Sequence, residues 1–174
     1  MADPLVEIIV ARFARVLTQD LVNAVPPAAG LSTQFYHVFR ALVLPGECNE
    51  LPYACVLTGG QREGTSPMNF VSEQVEVEVY VFIAEADLQL VDTVRNRAVA
   101  DVKKAIMRDP LVRGGQTSAS AGGIDSVLVD KLDYVGVDPY PLASDQPNVE
   151  GAIVRFRFDY LHDFEDPYTG RPTS

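Results

Sequence analysis

The sequence predicts an α+β fold, a mainly antiparallel β-sheet packed with two main α-helices in a single domain. Three observations carry that expectation. Apolar residues recur at helical spacing in two separate segments, and valines alternate with polar or aromatic residues through one long strand. The elements also run helix, strands, helix, strands, with no repeated βαβ unit.

The first helix spans Pro4 to about Asn23. Leu5, Ile8, Ile9, Phe13, Val16, Leu17 and Leu21 form one stripe with Arg12 on its edge. Asp3 is placed to cap it, Pro4 fits its first turn, and Pro26-Pro27 ends it before an Ala-Ala-Gly linker. Two short runs rich in β-formers follow, Phe35–Leu44 and Pro52–Thr58, separated by the turn signal Pro45-Gly46-Glu47. Residues Gly59 to Asn69 have the composition of a mobile loop, long for a hairpin connection. Phe70–Ile83 is the clearest strand: Val75, Val77, Val79, Val81 and Ile83 face a core. Its other face starts acidic and ends with Tyr80 and Phe82, which calls for a cover from the N-terminal helix or from another subunit.

Asp87 then caps the second helix, Leu88 to about Arg108. Leu88, Val91, Val94, Ala98, Val102, Ala105 and Ile106 form its buried stripe, and Arg95, Arg97, Asp101, Lys103 and Lys104 face water. Lys103, Lys104 and Arg108 suit the carbonyl end of the helix dipole, and Pro110 terminates the helix. Arg113 to Gly123 is nearly all small residues and reads as flexible. Strands at Ser126–Val137 and Gly151 to about Leu161 close the domain, with a proline-bearing loop from Asp138 to Asn148 between them. In the last strand Ala152, Val154, Phe156, Phe158 and Tyr160 form the buried face. The segment from 165 to 174 reads as a polar tail.

At 174 residues the chain suffices for one domain with a substantial core. Its first residues lack the basic and apolar regions of a signal peptide, and no apolar run reaches membrane-spanning length, so a soluble protein made in the cytoplasm is expected. The 24 acidic and 14 basic residues give a net charge of −10, which repels phosphate backbones and argues against stable nucleic-acid binding. Cys48 and Cys55 are too few for a disulfide framework and are expected to be free, structural thiols.

Candidate chemistry is sparse. His162, Asp163, Glu165 and Asp166, preceded by Asp159, are the one concentration of possible metal ligands, and His37 would have to complete a two-histidine site. An acidic chain end leaving a strand is the plainer explanation. The glycine pairs at 114–115 and 122–123 lack the lysine and hydroxyl of a phosphate loop, and no nucleophile elbow is present. Asp133 and Asp138 are imaginable as paired carboxylates. No catalytic residue, metal or cofactor is assigned, and an assembly role without catalysis is expected.

The layout resembles the tail terminator (tail completion, neck) proteins of tailed bacteriophages. The likeness lies in an amphipathic N-terminal helix, a strand pair, and Val75–Ile83 leading into the helix at Asp87. It extends to a closing strand, IVRFRFDYLHDFEDPY from Ile153 to Tyr168, that runs into the acidic-proline ending Glu165-Asp166-Pro167. It covers nearly the whole chain and rests on layout; the glycine-serine-alanine loop after the second helix is a departure. The resemblance implies a virion protein of the tail neck, a homo-oligomeric ring (typically a hexamer) at the head-proximal end of the tail tube. Such a ring stops tube polymerisation, receives the head connector, and lets DNA pass without holding it. Its partners would be itself, the tube protein and connector proteins. The loops at 59–69 and 113–123 are then the expected contacts, with Arg62, Glu63, Met68 and Phe70 at the first and Arg113 and Gln116 in the second. The alternatives are another neck or tail component (head-closure, tube or minor tail protein), a small metal-dependent hydrolase using His162, Asp163 and Asp166, or a ligand-binding domain.

Overall fold

A computed structural model of the chain describes residues 5–64, 70–108, 131–142, 148–163 and 166–170. The order is α1 (Leu5–Leu17), a π-helical turn (Thr18–Asn23), β1 (His37–Phe39), β2 (Tyr53–Gly64), β3 (Phe70–Ala84), α2 (Val91–Arg108), β4 (Lys131–Tyr140), β5 (Val149–Asp163) and β6 (Asp166–Gly170). The fold is α+β. One sheet runs β1-β2-β3-β5-β4, with β6 also paired to β5, and every pairing is antiparallel except the short parallel β1–β2 contact. The described helices include none long and apolar enough to cross a membrane.

The main core lies between the helices and one sheet face. Val75, Val77, Val79, Val81 and Ile83 of β3 are fully buried there, beside Val154, Phe156 and Phe158 of β5. Each such side chain contributes roughly 1.5–3 kcal/mol by leaving water. α1 lays Ile9, Val10, Phe13, Val16 and Leu17 on this face, and the Phe13 ring meets Phe156 edge-on at 5.7 Å. Of the expected stripe, Ile9, Phe13, Val16, Leu17 and Leu21 are buried and Ile8 is half-buried, Val10 and Ala14 join them, and the Leu5 side chain lies outside the description. The first helix changes to π geometry at Thr18, whose hydroxyl donates to the Ala14 carbonyl at 2.8 Å. The Asp3 cap lies outside the described residues.

A smaller core occupies the opposite face at the end of the sheet where β3 leaves it. Tyr53, Cys55 and Phe82 are fully buried, packed by Phe39, Val43, Cys48, Leu51, Tyr140 and Leu142. Phe82 and Tyr140 flank Gly151 in adjacent strands, and their rings cross at 89° with centroids 5.3 Å apart. A Cβ on Gly151 would stand 2.9 Å from Tyr140 Cβ, so the ring pair closes only over glycine. Tyr80 stays half-buried against the Tyr140 ring at 5.6 Å, whereas the cover over Phe82 is neither of the two expected ones. It is the chain's own segment 40–51, fixed where the Tyr53 hydroxyl donates to the Val43 carbonyl at 2.9 Å.

That segment also corrects the strand expected over Phe35–Leu44. Only His37–Phe39 pairs, because residues beyond it leave the sheet to serve as the cover. Conversely, Gly59–Gly64 belongs to β2 and not to a loop. A bulge between Thr58 and Gln61 takes up the two glycines, and pairing with β3 resumes at Gln61–Val75. Residues 65–69, the loop expected at 113–123, and Ser126–Asp130 lie outside the described residues. β4 continues through Pro139 to Tyr140, past the strand end expected at Val137. Within the expected polar tail, Asp166–Gly170 forms β6.

α2 starts at Val91, three residues later than expected. Asp87 caps a preceding turn instead: its Oδ1 accepts the Gln89 N–H at 2.9 Å, and its carbonyl accepts the Leu90 N–H at 2.9 Å. Leu88, expected in the buried stripe, is 59% exposed. Asp101, expected in water, is 6% exposed. Its Oδ2 accepts Ser32 N–H (3.0 Å), Ser32 hydroxyl (3.0 Å) and Thr33 N–H (2.7 Å), clamping the linker after the first helix onto α2. Lys104 adds a bond to the carbonyl of Gly30, which has φ 82°, and Arg108 pairs with Asp20.

Replacing Asp101 by Ala removes three charge-assisted bonds to the linker. We expect a loss of about 2 kcal/mol, read as a melting temperature lower by roughly 4–8 °C. Asp101→Asn keeps an oxygen acceptor and should lose about half as much; an unchanged melting temperature in Asp101→Ala would contradict the clamp.

Candidate functional site

Beyond the small core, the second sheet face becomes a lattice of opposite charges. Alternation along β3, β5 and β4 puts Glu76, Arg157 and Asp133 in one cross-strand row, and Gln74, Asp159 and Lys131 in the next. Arg155 joins three strands: its Nε donates to Glu78 at 3.0 Å, and its Nη1 pairs with Asp138. Glu78 also accepts the Tyr80 hydroxyl at 2.7 Å. Lys131 lies 2.6 Å from Asp133, and Arg157 Nη2 lies 3.7 Å from the same carboxylate. The Nε of Arg157 is buried without a hydrogen-bond partner among the described residues.

This geometry decides how Asp133 and Asp138 can act. The hydrogen bond from Lys131, with the charges of Lys131 and Arg157, holds the Asp133 carboxyl below its ordinary range. Asp138 is engaged by Arg155. Both carboxylates are thus matched to cations across the sheet, and the arrangement ties strands together.

Arg62 is exposed on β2, level with Gln74, and lines a shallow polar hollow with Gly60, Gln74 and Glu76. The hollow exists because the bulge glycines bring no side chains to it. Glu63 is exposed and stands opposite Glu73, which accepts Gln61 Nε2 at 2.6 Å and the Tyr160 hydroxyl. Phe70 opens β3 opposite Asp163, further along than Arg62 and Glu63; its side chain lies outside the description. Met68, Arg113 and Gln116 lie outside the described residues. The structure therefore groups Arg62 with the hollow and sets Glu63 on the strand beside it, and neither lies in a loop.

Register separates the two histidines. His162 stands opposite Val71, whereas His37 is level with Tyr53 and Phe82. Eleven residue steps of β3 separate those levels, roughly 35 Å of strand. His37 is instead ion-paired with Glu50. Asp163 of β5 is the register partner of Asp166 of β6, but the side chains of this cluster are outside the description. Among the described residues no group of three or more His, Cys, Asp or Glu could hold a metal. Both cysteines are free; burial pushes the Cys55 thiol up to about 11.

Two further surfaces were not singled out by the sequence. β4 forms one edge of the sheet and exposes Val135 and Val137, but a bulge between Tyr134 and Gly136 and the proline at 139 obstruct strand addition. The turn ahead of α2 exposes Leu88 and Leu90 at 59% and 48%. Their signal was present in the sequence as an Asp-Leu-Gln-Leu alternation, which does not continue the helical stripe.

With the fold and these surfaces described, comparison with known proteins adds no relative: no family model matches the chain, and no curated protein matches it significantly.

The tyrosines report on both faces. Burial, then the hydrogen bond to Glu78, pushes the Tyr80 hydroxyl up to about 12, and burial raises Tyr53 and Tyr160 beyond that. A raised folded pKa favours the neutral phenol, so this stabilisation is complete below the unfolded value of 10.0 and lost as pH rises through the folded values. We expect at least three of the seven tyrosines to ionise late in a 295 nm titration, with the melting temperature falling above pH 10. Ionisation of all seven near pH 10 with the fold intact would contradict this.

Proposed function

We propose that this chain is a structural virion protein of the bacteriophage tail terminator kind, a subunit of a homohexameric ring. In this role the ring caps the head-proximal end of the tail tube, stops tube growth and receives the head connector. It calls for no catalytic step and no cofactor.

The observation that carries the reading is the order of elements. α1, the pair β1 and β2, the fifteen-residue β3 leading into α2, and the long closing strand β5 follow the layout on which the resemblance rests. The described surface supports an assembly role as well, since it carries rigidly held exposed leucines on the turn before α2. A net charge of −10 suits a ring through which DNA passes without being held.

Sedimentation velocity and negative-stain imaging of the purified protein test the proposal. We expect a sixfold ring with a mass about six times the 19.0 kDa chain. Added to assembling tube protein, the rings should cap tubes and limit their length. Long tubes formed by this chain alone would identify it as a tube subunit. A strictly monomeric mass, with no ring in assembled particles, would sink the reading.

A further inference from the structure

We infer that subunits of this protein join head to tail through the turn before α2 and the solvent face of α2. The Leu88–Leu90 turn of one copy seats against the cationic solvent face of α2 in the next. The inference rests on the self-assembly proposed above and names the surfaces that perform it.

The first surface is a preorganised apolar knob. Leu88 and Leu90 project from a turn held by the Asp87 bonds to Gln89 N–H and Leu90 N–H, and by a Glu85 N–H bond to the Asn148 carbonyl at 3.0 Å. Fixing these two leucines against a partner therefore costs little further ordering. Exposed Asp87 and Asp92 flank the turn; Asp92 is ion-paired with Arg95, which also pairs with Glu150, so carboxylates outnumber cations there.

The second surface is the chain's exception to its own charge. Beyond Asp92, the exposed positions of α2 carry Arg97, Lys103, Lys104 and Arg108 and no carboxylate, in a protein of net charge −10. The helix's other acid, Asp101, is buried and engaged by the linker. Lys103 sits 3.7 Å over the Tyr134 ring, and Lys104 and Arg108 are tied to the linker, so the cations are held in place. Arg97 is exposed with no ion-pair partner among the described residues.

The occupant follows from complementarity. The cationic strip runs from about 10 Å (Arg97) to about 27 Å (Arg108) along the helix axis from Leu90, so knob and strip occupy different places on one copy. They match between two copies, and two different patches make a heterologous contact that closes into a ring when its rotation permits. The edge of β4 offers no rival route, because its bulge and proline obstruct pairing.

Two variants separate the halves: Leu88→Ser with Leu90→Ser removes the apolar knob without adding charge, and Arg97→Glu with Lys103→Glu blocks the strip. Circular dichroism confirms that both fold. We expect each alone to lose the ring, with association weakened about tenfold or more, and wild-type rings to loosen as salt rises. Mixed in equal amounts, the two variants retain one good knob and one good strip, so they should form a one-to-one dimer and no ring. A wild-type ring that persists in both variants overturns these surfaces while leaving the assembly role standing, as does a mixture that stays monomeric. A wild type that never associates removes both proposals. Binding of duplex DNA by the wild type that is lost in Arg97→Glu/Lys103→Glu, with rings intact, would make the strip a nucleic-acid surface and also overturn the inference.

Discussion

The pairing of β3 with β5 is the constraint on which the rest of the molecule depends. The two strands stay in register over fifteen residues, from Phe70–Asp163 to Ala84–Val149. Period-two alternation over that length assigns every side chain to one of two faces. A slip by one residue would send five core aliphatics to the charged face and Glu76 and Glu78 into the core, so the register is strongly specified. The helices then cover one face. On the other, the polarity of β3 changes along its length, from Gln74 and the glutamates to Tyr80 and Phe82. That gradient explains why the second face needs a cover at one end only, and why residues 40–51 leave the sheet there.

Charge plays different parts on the two faces. On the exposed lattice, Arg155 and Arg157 lie between carboxylates of β3 and β4, and partial solvation keeps each such pair weak. Their effect is on register, since a shifted strand would set like charges opposite one another. On the helix side, one buried carboxylate carries more. Asp101 accepts three bonds on one oxygen and fixes the linker, and Arg108 and Lys104 continue that attachment to Asp20 and Gly30. α2 is thereby anchored along its length to the sheet, to the linker and, through Lys103, to Tyr134 of β4.

Much of this was legible in the sequence, and the parts that were not have identifiable causes. The stripes of α1 and α2 and the alternation of β3 and β5 are strong signals because each repeats several times. Asp101 was assigned to water because it is charged, although Ala98, Asp101, Val102 and Ala105 all fall on one helical face. A partner sixty-eight residues away in sequence, Thr33, is what makes its burial affordable, and no local pattern reveals that. Gly59-Gly60 looked like the start of a loop because glycine pairs usually punctuate. Here the length of β3 lets pairing resume past them as a bulge. Of the expected contact residues, Arg62 and Glu63 consequently sit on a strand. The charge lattice was legible residue by residue, but its pairings required the register of three strands.

The guarded edge and the bare leucines fit together physically. A protein meant to stop at a ring must avoid open-ended strand addition, because main-chain pairing accepts almost any extended partner and does not limit itself to six copies. The bulge and proline of β4 suppress that route at the long edge, and β1 is only three residues long. Among the described residues the route left open is side-chain recognition, which has a defined geometry and so a defined rotation between copies. In the proposed contact the strip lies on α2 and the knob on the hydrogen-bonded turn that leads into it, so the angle between knob and strip is fixed by the subunit's own core. Under that proposal, ring number is a property of how α2 sits on the sheet. Loosening the Asp101 clamp should therefore broaden the distribution of ring sizes before it abolishes assembly, and imaging of Asp101→Asn rings would measure this directly.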